Sequence, residues 1–87
     1  MRIQLAYGRE KLWIEFPEGG TVDVGQALQA IKDVRPEIYE RWCDQDGQLR
    51  RSLTIFVNGE NIRYRQGLET GLSDGDEVYV IPLIAGG

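Results

Sequence analysis

The 87-residue sequence contains no histidine, one cysteine and three prolines. Without histidine it lacks the usual neutral-pH general base and the commonest metal ligand, which excludes Ser-His-Asp and Cys-His hydrolase chemistry. Cys43 alone cannot close an internal disulfide. There is neither a signal-like apolar segment nor a run of about 20 apolar residues, so a soluble, cytoplasmic protein without a membrane partner is expected. Neither G-x-x-x-x-G-K-[ST] nor G-x-G-x-x-G occurs among the eleven glycines. The chain therefore has no recognisable nucleotide-phosphate cradle, and any ATP it depends on is bound by another protein. Basic excess is missing too: the net charge is -4 and the pI about 4.7. Nucleic acid is not an expected partner, because neutralising phosphates needs a clustered basic surface.

What is present suits one small domain spanning residues 1–87. A chain of this length has room for a single core but not for a core plus an elaborate active-site cleft, so its chemistry is completed by a partner. Ile3, Leu5 and Tyr7 alternate with Arg2, Gln4 and Ala6, and after Gly8-Arg9-Glu10 the alternation resumes at Leu12, Ile14 and Phe16. That pattern predicts an antiparallel hairpin with one apolar face. Pro17 and Gly19-Gly20 end the second strand. Asp23, with Gln26 three residues later, gives a helix start of the capping-box kind, and Val24, Ala27, Leu28 and Ile31 then share one helical face. Pro36 disfavours helical geometry at Arg35 and can itself open a short second helical turn carrying Ile38, Tyr39 and Trp42. Asp44 to Arg51 reads as a polar loop.

The second half is strand-rich. Leu53, Ile55 and Val57 alternate with Thr54 and Phe56 and run into Asn58-Gly59, a strong hairpin signal. Ile62 and Tyr64 are expected on a short return strand, and Gly67 to Gly75 forms a turn-rich connection. Glu77 to Leu83 is a last strand rich in β-branched residues. The order of hairpin, helix, hairpin and final strand predicts an α+β domain in which a mixed sheet packs on one main helix.

Val57-Asn58, Leu72-Ser73-Asp74-Gly75-Asp76-Glu77-Val78, Pro82 and the closing Gly86-Gly87 follow one another in the order of a known pattern: V-N, a variable connection, L-x-D-G-D-x-V, an apolar strand containing proline, and G-G. In this C-terminal third the chain resembles the ubiquitin-like sulfur-carrier proteins. Ile62-Arg63, Gly67-Leu68 with Thr70, and Ala85-Gly86-Gly87 are most similar to the carrier used in cysteine biosynthesis, and less like the small subunit of molybdopterin synthase. Gly71 departs from the proline frequent in relatives. The resemblance implies a β-grasp (ubiquitin-like) fold and a protein that is not itself an enzyme. It also implies that an E1-like activating enzyme uses ATP to adenylate the Gly87 carboxylate, after which a sulfur donor displaces AMP to leave a thiocarboxylate. A downstream synthase would then accept the sulfur. The chain itself would bind neither cofactor nor metal.

Physical chemistry agrees with that division of labour. A free α-carboxylate is ionised at neutral pH and is a poor electrophile until it is activated. Glycine at positions 86 and 87, with Ala85 before them, keeps the tail narrow enough to thread a channel. Chain ends are often disordered whatever their sequence, but the D-G-D-E-V strand ahead of these glycines argues for more than a frayed end. With Leu53, Ile55, Val57, Val78 and Val80 directed to the helix, alternation turns Phe56, Tyr79 and Ile81 outward. Together with Leu83 these make a candidate partner-binding patch leading to the tail. Asp74, Asp76 and Glu77 lack the number and spacing of a calcium loop and read as turn residues. Arg50-Arg51, Arg63 and Arg65 read as solvated, and Cys43 beside Trp42 as packing. The same tail would serve a protein modifier joined to lysines through Gly87, or a subunit seated permanently in a synthase.

Overall fold

A computed structural model describes residues 1–82. The first hairpin forms where the alternation places it, as β1 (Arg2–Tyr7) and β2 (Glu10–Glu15), with Ile3 opposite Ile14 and Leu5 opposite Leu12. After the short strand β3 (Val22–Asp23), Asp23 caps helix α1 (Val24–Val34). The Asp23 carboxylate accepts from Gln26 N–H at 2.8 Å, and the Gln26 side chain accepts from Asp23 N–H at 2.9 Å, so two otherwise orphaned amides are satisfied reciprocally. Pro36 separates α1 from α2 (Pro36–Trp42), occupying the first position of the second helix, where its missing N–H is not needed.

Strand β4 (Leu53–Val57) turns through Asn58-Gly59 into β5 (Glu60–Asn61). Asn58 at φ +51° and Gly59 at φ +87° both take the left-handed conformation such a hairpin turn requires. Two further strands complete the set, β6 (Gly71–Leu72) and β7 (Glu77–Pro82). The main sheet runs in the order β2-β1-β7-β4-β5, and β3 pairs separately with β6. Strand β7 lies at the centre, parallel to β1 and antiparallel to β4, which makes the sheet mixed, as expected.

The core lies between the inner face of the sheet and the two helices. Ile3, Leu5, Ile55, Val57, Val78 and Val80 from the sheet meet Val24, Ala27, Leu28, Ile31 and Trp42 from the helices. Burying a large aliphatic side chain contributes roughly 1.5–3 kcal/mol, so this set supplies most of the drive to fold. Tyr7 packs on Trp42 with ring centroids 5.7 Å apart.

Three local features differ from the sequence expectation. Ile62–Tyr64 is a 3-10 turn rather than a return strand, because the Asn61 side chain accepts from Arg63 N–H at 2.9 Å and closes the chain on itself. Ile62 alone is buried there, whereas Tyr64 is 85% exposed. The connection from Gly67 to Gly75 does turn repeatedly, but it also contains β6, whose Leu72 lies opposite Val22. The last strand ends at Pro82 among the described residues. Gly71 has a negative φ, and nothing lies within 4 Å of where a Cβ would sit, so the position does not require glycine.

Candidate functional site

The expected reacting group and its tail, Ala85, Gly86 and Gly87, lie outside the described residues, as does Leu83. The structure does fix the root from which they extend. Strand β7 is held on both sides: Val80 pairs with Tyr7 of β1 and with Ile55 of β4, and Pro82 is opposite Leu53. A strand with two neighbours leaves the sheet in a defined direction, so this central placement gives the tail a fixed point of departure.

The other end of β7 is anchored by the Asp74-Gly75-Asp76-Glu77 turn. Asp76 Oδ2 accepts from Ser73 N–H at 2.7 Å, and Asp76 Oδ1 accepts from the Asn58 side-chain amide at 2.9 Å. Asp74 Oδ1 accepts from Arg2 N–H at 2.7 Å, while Gly75 N–H donates to the Arg2 carbonyl at 2.8 Å. Gly75 has φ +84°, a conformation that strains any residue with a Cβ. Asp74 and Asp76 belong to the turn, as the sequence pattern implies, whereas Glu77 is the first residue of β7, where it takes its place in the strand ladder. Among the described residues no group of three or more His, Cys, Asp or Glu is arranged to hold a metal ion.

On the outer face of the sheet, Tyr79 is 37% and Ile81 40% exposed, and Phe56, opposite Tyr79, is half-buried. The three candidate docking side chains therefore share one face and converge on the tail root. Ala6 and Thr54 on this same face are buried. The Tyr79 hydroxyl donates to Glu77 Oε2 at 2.6 Å, and this bond, with the adjacent carboxylate charge, raises the tyrosine pKa.

Trp13 is a member of this face that the sequence pattern did not single out. It is 51% exposed, with the Arg2 guanidinium 4.4 Å from its ring centroid. The signal lies in the alternation: if Leu12 and Ile14 point inward, Trp13 between them points outward. It lies two strands from β7 and extends the apolar face away from the tail root.

Of the remaining candidates, Cys43, Arg50 and Arg65 take structural roles. Cys43 is buried, and that burial pushes its thiol pKa up, so it stays protonated and unreactive. Arg65 pairs with Glu60 at 3.2 Å. Arg50 donates to the Glu40 carbonyl through Nε at 3.0 Å and Nη2 at 2.8 Å, while Arg51 and Arg63 are exposed. A cleft of about 570 Å³ between the helices and the Asp44–Gly47 loop is lined by Lys32, Tyr39, Cys43 and Arg50. It lies on the helical side of the molecule, away from the outer sheet face. No helix of the described residues is long and apolar enough to cross a membrane.

Comparison with known proteins agrees with this architecture. The model of the ThiS family matches residues 6–87. Sulfur carrier protein CysO of Mycobacterium tuberculosis is 44% identical over 66 residues, covering 74% of this chain and 71% of that protein. Small archaeal modifier protein 3 of Haloferax volcanii is 37% identical over 80 residues, covering 92% and 84%. The crystal structure of SAMP1 from Haloferax volcanii superposes over the whole of both chains with a TM-score of 0.79 at 22% identity, which establishes the ubiquitin-like β-grasp fold. On the family match and these identities, the chain belongs to the ThiS family of ubiquitin-like sulfur carriers.

Proposed function

We propose that the protein carries sulfur on Gly87 for the biosynthesis of cysteine or another sulfur-containing metabolite. A carboxylate oxygen of Gly87 attacks the α-phosphorus of ATP held by an E1-like activating enzyme, releasing pyrophosphate and leaving an acyl adenylate. Hydrosulfide supplied by a sulfur donor then attacks the carbonyl carbon, forming the C–S bond as the C–O bond to AMP breaks. The resulting thiocarboxylate is a soft nucleophile that a downstream synthase consumes. ATP belongs to the partner in this scheme, and no side chain of the carrier takes part in a bond change.

The role of the chain is presentation. Phe56, Tyr79 and Ile81, with Leu83 beyond the described residues, form the docking face, and β7 directs Ala85-Gly86-Gly87 into the partner's channel. A partly apolar face flanking the reactive end suits a transient contact that must form with one enzyme and release to another. The observation that carries the reading is the 44% identity to a sulfur carrier protein on a chain whose sequence runs through the family's L-x-D-G-D-x-V motif to Gly86-Gly87.

The test is intact-mass spectrometry after incubation with the activating enzyme, ATP and a sulfur donor. The expected change is replacement of one C-terminal oxygen by sulfur, and an unchanged mass refutes the carrier role. A second reading is favoured by the 37% identity to a small archaeal modifier protein: Gly87 joins lysines of other proteins through an isopeptide bond. Discrete heavier conjugates in lysate, lost when Gly87 is deleted, would support that alternative.

A further inference from the structure

Exposed cations flank the tail root of a chain whose net charge is -4. On one side of β7, β1 ends at Tyr7, opposite Val80, and turns through Gly8-Arg9 into β2. On the other side, Leu53 lies opposite Pro82 and is entered from the Arg51-Ser52 turn. The strand that leads into the tail is thus flanked at its end by Arg9 and Arg51. Lys11 stands on the outer face in the cross-strand row Lys11, Ala6, Tyr79 and Phe56. All three cations are exposed, and none forms an ion pair among the described residues.

The acid that is closest in sequence is directed elsewhere. Glu10 falls on the Leu12 and Ile14 side of β2, toward the helices and away from the outer face. Arg50 is committed to the Glu40 carbonyl. At the far end of the sheet Glu15 is paired with Arg2 at 3.2 Å, while Asp74, Asp76 and Glu77 gather at the start of β7, so acids stand at one end of this strand and bases flank the other. In a chain of net charge -4 this polarity presents a positive end to whatever receives the tail.

We infer that Arg9, Lys11 and Arg51 form a cationic collar that docks on a carboxylate-lined rim at the mouth of the partner channel receiving the tail. The inference rests on the reading of Gly87 as the reacting group. Five residues separate Pro82 from that carboxylate, a reach of up to about 18 Å when extended. ATP phosphates meeting a threaded Gly87 therefore lie beyond the collar, and the collar faces protein at the channel entrance instead. The half-buried apolar centre of Phe56, Tyr79 and Ile81 with charge at its edge has the arrangement of a transient interface. Rim charges of this kind steer encounter and fix orientation, and their contribution falls as salt rises.

The experiment is ATP–pyrophosphate exchange with the activating enzyme of the same organism, with the carrier varied over a range of salt concentrations. Arg9→Glu/Arg51→Glu is compared with Lys32→Glu/Arg41→Glu, which makes the same change in net charge on the helical side. The expected result is a KM for the collar variant raised about tenfold at low salt with kcat unchanged. The rise of KM with salt seen for the wild type should be abolished or reversed in that variant. The helical-side variant should stay within about twofold of wild type. A collar variant with wild-type KM and salt response overturns the collar while exchange itself upholds Gly87 as the activated group. Equal losses in both variants also overturn it, since net charge alone would then explain them. A wild-type chain that supports no exchange refutes the carrier reading, and the collar with it. Circular dichroism of each variant confirms that the comparison is between folded proteins.

Discussion

The Asn58 side-chain amide donates to Asp76 Oδ1 at 2.9 Å, and Asn58 Oδ1 accepts from Glu77 N–H at 3.0 Å, so one side chain ties the β4–β5 turn to the start of β7. A backbone bond from Asn58 N–H to the Glu77 carbonyl at 3.0 Å runs beside them. This gives a physical reason why V-N and D-G-D-x-V occur together, although 18 residues separate Asn58 from Asp76. Asn58 also has φ +51°, which asparagine tolerates better than most residues.

Asn58→Ala is therefore expected to lose two side-chain bonds and to strain the turn, destabilising the domain by about 1–2 kcal/mol. For a domain of this size that lowers Tm by roughly 4–8 °C for each kcal/mol. Asn58→Gly keeps the conformation and loses only the bonds, so its Tm should lie between wild type and alanine. Thermal unfolding followed by circular dichroism decides. A glycine variant less stable than the alanine variant would show that φ plays no part.

Features that span several residues are legible in the amino-acid pattern. The first hairpin, the Asp23–Gln26 capping box, the α1 face and the Asn58-Gly59 turn each rest on several residues agreeing with one geometry. Strands β3 and β6, of two residues each, carry no alternation to detect and exist only because Val22 and Leu72 meet across the chain. The 3-10 turn at Ile62–Tyr64 is hidden because its apolar spacing also suits a strand, and the Asn61 side chain decides between the two. At the candidate site, alternation is enough to place Tyr79 and Ile81 outward, whereas the basic surroundings of the tail root depend on the sheet order. Arg9 and Arg51 are far apart in sequence and flank Pro82 only because β1 and β4 both neighbour β7.

Burial raises the pKa of the Cys43 thiol, which makes the folded state hold its proton where the unfolded chain would release it. Its contribution to stability is fully present below the unfolded thiol pKa of about 8.5 and is lost as pH rises through the higher folded value. The expected outcome is slow alkylation by iodoacetamide at neutral pH in the native protein and rapid alkylation in denaturant. Cys43→Ala should flatten the alkaline decline in stability measured by denaturant melts. Fast native alkylation would contradict the buried placement.

Tyr79 should titrate above the ordinary tyrosine range because its hydroxyl donates to Glu77 and the carboxylate opposes a second negative charge. The sign follows: stabilisation by this pair is complete below the unfolded tyrosine pKa of about 10 and disappears as pH rises through the folded value. Glu77→Gln removes the charge and should move one tyrosinate absorbance step to lower pH. An unchanged titration curve would mean that the bond does not persist in solution.

Ile81→Asp tests the docking face most directly. Ile81 is 40% exposed, so introducing a carboxylate there buries no new charge in the free protein, and the inner row of Ile55, Val78 and Val80 is untouched. The fold should survive, with Tm within a few degrees of wild type. If Ile81 packs into an apolar pocket of the activating enzyme, the same carboxylate must be desolvated on binding, which weakens affinity by about tenfold or more. Isothermal calorimetry with that enzyme reads the affinity, and pyrophosphate exchange separates a raised KM from a lowered kcat. Because the loss comes from desolvation at an apolar contact, added salt should not rescue the variant as it would a purely charge-based loss. Unchanged affinity would remove Ile81 from the interface and shift the search to Trp13, the other large apolar side chain exposed on this face beyond the row that leads to the tail.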